Sequence, residues 1–314
     1  MCEVWQRARV KDMRNGVILI SAAAMYMLYS VSNVSAGWTM QCPASGSSIS
    51  ENTTIEFPTE MFDESDYLLQ VSKAKKSVED KNLFISFCFL QLSEIRKGDS
   101  ATLRNIATAL KSVGWKIHLL LDSPGGDHLE ALSIGDIARN NSMLAGVPAN
   151  GECLSSCIYV YIGAVERILY GRLGVHSPYE NLPSDNAGRN LEYIRSATME
   201  WLRRMNVSDN FFDFTTTTDP GRIRYMTQKE LSYFGIGPED PIYRAERNAI
   251  GARECSLETQ MYIAMMQEIN ACIYADLASD DSSAEVKICI KSVVTRYQPF
   301  GARCVWAKVA EISE

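Results

Sequence analysis

The sequence predicts an α/β fold of repeated βαβ units carrying a small cysteine-rich C-terminal appendage. Three observations predict it. Short apolar runs at 82–92, 116–121 and 144–149 alternate with segments whose apolar residues recur at helical spacing. That is the pattern of buried parallel strands joined by crossover helices. A Ser-Pro-Gly-Gly turn at 123–126 joins one such strand to the helix after it. Four of the nine cysteines, Cys255, Cys272, Cys289 and Cys304, fall beyond the βαβ region.

The chain has 314 residues and a net charge of −7. It is long enough for one large domain with additions, or for two. The acidic balance argues against a nucleic-acid partner.

Residues 1–36 have the layout of a signal peptide or a signal anchor. Arg7, Arg9, Lys11 and Arg14 precede an apolar run at 17–31, and Val34-Ser35-Ala36 offers small residues for cleavage. The run is short of the roughly 20 residues of a membrane span. The remainder is expected outside the cytoplasm, in the periplasm of a bacterium or its equivalent. Membrane attachment through 17–31 follows if the signal is not cleaved. An exported chain with an even set of cysteines after Cys2 points to disulfides. Cys88, inside the apolar run 83–90, reads as a buried free thiol.

Residues 37–80 read as a linker or N-terminal arm, with Ser, Gly, Asn and Thr crowding 37–54 and a loosely amphipathic helix over 61–79. The main domain is expected over 81–245. Its first core strand is 82–92. Ser100 or Asp99 is positioned to cap a helix over 101–113, where Leu103, Ile106, Ala107 and Leu110 share a face, and Gly114 ends it. The next strand is 116–121. A helix with Leu129, Leu132, Ile134 and Ile137 inward follows the glycine turn. Then come a strand at 144–149, an elbow at 151–155, a helix at 156–163, and short strands at 167–170 and 173–176. A long helix covers 188–205. Thr227, with Glu230 three residues on, predicts a capping box, and Gly235 a helix end. Over 250–314 the sequence predicts a helix at 257–275, an acidic loop at 276–283, and strands at 286–294 and 302–309.

The chemistry-bearing residues lie between Asp122 and His176. A glycine pair between strand and helix leaves backbone N–H groups where an anion can approach. Ser155 and Ser156 sit in a second strand-to-helix turn, Cys153-Leu154-Ser155-Ser156-Cys157. A serine hydroxyl needs a base beside it to act as a nucleophile. His176, in Gly174-Val175-His176, is the candidate. His118 falls inside a strand. His128 follows the glycine turn, and a binding role near an anion is open to it. Two cysteines without nearby histidine pairs are a poor zinc set. A local disulfide between Cys153 and Cys157 requires Cα atoms within about 7 Å. No metal and no cofactor is expected.

Asp122-Ser123-Pro124-Gly125-Gly126, the serine in a small-residue turn and Gly174-Val175-His176 together resemble the Clp protease/crotonase superfamily, above all its exported Clp-like members. The resemblance covers roughly 80–240. It implies the Clp/crotonase fold and a peptidase whose substrates are peptides or unfolded polypeptides. It selects Ser155 over Ser156 as nucleophile, with His176 as base. The oxyanion hole it implies is the amide of Gly125 or Gly126 with that of Ser156. The superfamily's third residue, an aspartate, falls on Ile223 in an ungapped alignment. Asp219 is the nearest carboxylate and Asp213 the next. The resemblance also implies a homo-oligomer. The rival readings are a crotonase-type acyl-thioester enzyme, which export disfavours, and a catalytically weak or inactive binding or assembly module.

Overall fold

The computed structural model describes residues 38–43, 52–56, 64–80, 87–178, 184–277 and 283–300. The expected signal segment, with its 17–31 run, lies outside them, as does the strand expected at 302–309. The chain divides into two compact units at Asp240/Pro241.

The first unit is built on a six-stranded sheet. Its strands are β1 (Trp38–Pro43), β2 (Asn52–Glu56), β3 (Phe87–Leu92), β4 (Lys116–Leu121), β5 (Leu144–Val147) and β7 (Glu166–Leu169), in the order β2-β1-β3-β4-β5-β7. From β3 to β7 all pairings are parallel, and β1 pairs antiparallel with both β2 and β3. Helices α2 (Asp99–Ser112) and α3 (His128–Asn140) connect β3 to β4 and β4 to β5. The expected alternation of strand and helix therefore forms as a parallel βαβαβ run. A second, three-stranded sheet has the order β6 (Glu152–Leu154), β8 (Arg172–Val175), β9 (Arg224–Tyr225).

Two expectations for the N-terminal region change. The stretch read as a linker contributes β1 and β2 to the main sheet. Trp38, Met40 and Cys42 point inward with Thr39 and Gln41 between them, a period of two that the polar composition downstream obscured. Cys88 is not a free thiol, because it forms a disulfide with Cys42 on the neighbouring strand. A cross-link closing a loop of this length contributes roughly 4 kcal/mol in the chain-entropy account. Helix α1 (Glu64–Asp80) follows β2 and buries Tyr67 and Val71 in the main core.

Helix α2 starts at Asp99 with neither Ser100 nor Asp99 as its cap. The carboxylate comes from Glu130 on α3, whose Oε1 accepts from Gly98 N at 3.0 Å and Ser100 N at 2.6 Å. Glu130 N in turn donates to Asp127, the N-cap of α3. Side chain and helix start thus tie α2 to α3 beside the glycine turn. Helix α4 (Cys157–Gly163) is buried along its whole length. The long helix α5 (Ser184–Arg204) seats Ile194, Trp201 and Leu202 in the core and leaves Leu191 and Tyr193 in solvent. Helices α6 (Asn210–Thr216) and α7 (Gln228–Phe234) close the unit. Thr227 and Glu230 form the expected capping box, and Gly235 ends α7 at φ +80°.

The closing segment is anchored by buried charge. Asp240 is fully buried and accepts from Arg139 Nη2 at 2.6 Å and Asn206 Nδ2 at 3.0 Å. Arg167, also buried, donates to the carbonyls of Ile162, Ala164 and Gly237.

The second unit contains α8 (Pro241–Glu254), α9 (Thr259–Leu277) and α10 (Ser283–Tyr297). Its own core gathers Cys255, Leu257, Met265, Ile269, Cys272, Val293 and Val294. A disulfide joins Cys272 on α9 to Cys289 on α10, and Cys255 is disulfide-bonded too. The strand expected at 286–294 is part of α10. Its β-branched residues favour a strand locally. Burial of Val293 and Val294 with partly buried Cys289, Ile290 and Tyr297, while Ile288 is exposed, follows helical spacing instead.

Candidate active site

The Asp122–Gly126 turn is held by the backbone of two neighbours. Ser123 pairs with Cys153, through Ser123 N to Glu152 O at 2.7 Å and Leu154 N to Ser123 O at 2.9 Å. Asp122 Oδ1 accepts from Glu152 N. On the other side, Ile95 N donates to Gly125 O and Asp127 N to Ile95 O, both at 2.9 Å. The turn therefore continues β4 out of the main sheet and into register with β6.

Both glycines have positive φ, +98° at Gly125 and +145° at Gly126. A Cβ at Gly125 would lie 2.7 Å from Leu154 O, 2.8 Å from Ser155 Cβ and 3.0 Å from Ser156 N. The turn thus lies directly against the serine elbow, and only glycine fits there. Ser156 Oγ donates to Gly126 O at 3.1 Å and ties the two turns together.

Ser155 occupies the step from β6 to α4 with φ +55°. A left-handed conformation is unfavourable for a serine and is found where the surroundings enforce it. Such a strained strand-to-helix turn lifts a hydroxyl clear of its neighbours. Ser155 is partly exposed, whereas Ser156 is buried. The preference for Ser155 over Ser156 thus coincides with the more exposed residue.

Strands β6 and β8 are parallel, with Leu154 opposite Gly174, and Ser155 N donates to Gly174 O at 2.8 Å. Ser155 is one residue past that pair and His176 two residues past it, at the same end of adjacent strands. Neighbouring strands lie about 4.8 Å apart, so the two residues lie close together at one end of the small sheet. His176 is partly buried, and its Nδ1 is 2.8 Å from the carbonyl oxygen of Ser177. A carbonyl can only accept, so Nδ1 carries the proton in this bond. A neutral ring then keeps its lone pair on Nε2, as a general base requires.

The two glycine amides that the resemblance allows beside Ser156, those of Gly125 and Gly126, differ in what they already bond. Gly125 N already donates to Ser123 Oγ at 3.1 Å. Among the described residues, neither Gly126 N nor Ser156 N has a protein acceptor. These two amides flank the elbow.

Both carboxylates considered for the third member have partners of their own. Asp219 Oδ1 accepts from Gly221 N at 2.7 Å and closes its own turn. Asp213 forms a forked pair with Arg195. The loop itself does come close, since Ser177 N donates to Thr218 O at 3.0 Å. Ile223 packs over the histidine's strand: a Cβ at Gly174 would lie 2.6 Å from Ile223 Cγ2 and 2.7 Å from Leu154 Cδ2.

His128 and His118 stand in other surroundings. His128 Nε2 is 2.7 Å from Thr198 Oγ1, and the ring packs edge-on against Tyr159. Burial lowers its pKa to about 4. His118 stacks on Phe87 on the far face of the main sheet, and burial lowers it to about 4 as well. The small-residue turn gains a feature that spacing alone left open. Cys153 and Cys157 form a disulfide with Cα atoms 5.3 Å apart, so neither is a thiolate that could hold a metal.

No family model matches the chain, and no curated protein matches it. Solved structures do. A point mutant of ClpP1 from Listeria monocytogenes aligns over 52% of this chain and 92% of its own, with 15% identity and a TM-score of 0.39. A point mutant of the 1510-N membrane-bound stomatin-specific protease aligns over 51% of this chain and 82% of its own, with 13% identity and a TM-score of 0.38.

Proposed function

We propose that this protein is a Clp-like serine peptidase of the Clp/crotonase fold. In this reading Ser155 attacks a peptide carbonyl and His176 Nε2 takes its proton. An acyl-enzyme forms, and water then hydrolyses it. The amides of Gly126 and Ser156 stabilise the oxyanion. Losing one such donor typically costs about 2.7–4 kcal/mol of transition-state stabilisation.

One observation carries the reading. A serine at φ +55° and a histidine leave the same end of two adjacent parallel strands, and Ser155 N is bonded to Gly174 O between them. A packing role alone gives no reason for a strained, partly exposed serine with two open amides beside it. The substrates proposed are peptides or unfolded polypeptides, and the working form a homo-oligomer. The disulfides support a site of action in an oxidising, extracytoplasmic compartment. No helix among the described residues is long and apolar enough to cross a membrane.

The second reading is a catalytically weak or inactive binding module. The engagement of Asp219 with Gly221 and of Asp213 with Arg195 favours it. Labelling with a fluorophosphonate separates the two. The peptidase reading expects a covalent adduct on the folded chain that is lost in both Ser155→Ala and His176→Ala. A folded wild type that takes up no label overturns it.

A further inference from the structure

We propose that the Cys153–Cys157 disulfide is an oxidative lock that assembles the Ser155 site. The site is open while the two thiols are reduced and fixed once they are joined. The proposal rests on the serine reading above and adds its regulation.

The bond closes a loop that contains only Leu154, Ser155 and Ser156. Those residues carry the candidate nucleophile and one of the two open amides. Cys153 lies in β6 and Cys157 is the first residue of α4, so the cross-link fixes strand end to helix start across the strained residue. Backbone bonds seat the strand flank, Leu154 N to Ser123 O and Ser155 N to Gly174 O, and the first helical turn, Ile158 N to Ser155 O and Tyr159 N to Ser156 O; the disulfide is the covalent tie between the two flanks. A serine in the left-handed region reverts to an ordinary conformation when its flanks are free to move. Both cysteines are completely buried. Thiol–disulfide exchange needs access to a sulfur, so the closed bond is shielded from reductants, whereas Cys289 of the Cys272–Cys289 bond is only half-buried. The lock therefore sets in one direction.

The chemistry balances with a disulfide as oxidant. One cysteine thiolate attacks the oxidant and expels one thiol. The second thiolate then displaces the other. Two cysteine thiols lose two electrons and two protons, and one oxidant disulfide becomes two thiols.

The test follows oxidative refolding of the reduced full chain in glutathione disulfide. Bond formation is read by alkylation and mass spectrometry, and site assembly by the rate of fluorophosphonate labelling. The expectation is that labelling rises in step with the Cys153–Cys157 bond and not with the Cys272–Cys289 bond. Folded Cys153→Ala/Cys157→Ala should label at least about tenfold more slowly than wild type, and Cys272→Ala/Cys289→Ala at the wild-type rate. Labelling that is complete before the Cys153–Cys157 bond forms overturns the lock. Amide hydrogen exchange over 151–163 is read in parallel, because it does not depend on serine reactivity. If wild type never labels but exchange there slows as the bond forms, the peptidase reading fails and the lock stands. If exchange is unchanged by the bond, the lock fails.

Discussion

His176 Nδ1 lies 2.8 Å from the carbonyl oxygen of Ser177, its own neighbour in sequence. The backbone therefore sets the tautomer that an aspartate sets in a serine–histidine–aspartate triad. Asp219, the residue expected in that role, accepts at one carboxylate oxygen from Gly221 N. Where a carboxylate orients the histidine, its amide replacement lowers turnover by about 10⁴-fold. Asp219→Asn keeps an acceptor for Gly221 N. It should change the labelling rate of Ser155 by no more than about threefold. A drop of several orders of magnitude would restore Asp219 to the triad.

The glycine turn is expected to tolerate no side chain. At Gly126, a Cβ would lie 2.0 Å from Ile95 O, and φ is +145°. Gly126→Ala must break the Ile95 bridge or shift the turn. Strain and overpacking of this kind cost about 1–3 kcal/mol each. Urea unfolding should show a loss of roughly 2–5 kcal/mol, and phosphonate labelling should fall with it. Unchanged stability would mean that the turn is looser than its contacts imply.

Asp240 and Arg139 make the strongest case for a single-residue stability effect. Removing one partner of a buried ion pair typically costs about 3–5 kcal/mol because the other charge stays buried. Arg139 is partly exposed, which places Asp240→Ala near the lower end, about 3 kcal/mol. A domain of this size shifts its Tm by about 2–4 °C per kcal/mol. Differential scanning calorimetry should therefore find a fall of roughly 6–12 °C. A shift under about 2 °C would show that water replaces the carboxylate.

Two histidines predict an acid-labile fold. Burial lowers His118 and His128 to about 4, below the ordinary value of 6.5. Between those values the unfolded chain binds protons that the folded chain refuses. Stability is then unaffected above pH 6.5 and falls as pH drops towards 4, at up to about 1.4 kcal/mol per pH unit for each histidine. His118→Phe should reduce the difference in urea midpoint between about pH 7 and about pH 5. If the difference stays the same, His118 is not a source of the acid sensitivity.

Much of the central architecture was legible locally. The runs at 116–121 and 129–137 carry enough periodicity to define β4 and α3. Thr227, Glu230 and Gly235 define α7 through chemistry that acts within one turn. The glycine pair was identifiable because few residues suit such backbone, whereas Ser155 was picked out over Ser156 by the resemblance alone. The hairpin of β1 and β2 was hidden because its alternation is short and its polar positions resemble those of a linker. The misreading of Cys88 as a free thiol has the same origin. Only pairing β1 with β3 brings Cys42 beside it.

The sequence by itself determined where strands alternate with helices, which turns require glycine, and which serine and histidine are worth testing. These features depend on interactions within a few residues of chain. Tertiary structure alone decided the rest. It decided that Glu130 caps a helix 30 residues away, that Ser155 and His176 follow the same end of two adjacent strands, and that Asp219 closes its own turn. It also made α10 a helix where β-branched residues favoured a strand, because packing on α9 and the bond to Cys272 outweigh local preference. The physical reason is common to all of them: the partner that satisfies each group is distant in sequence and becomes available only once the core has formed.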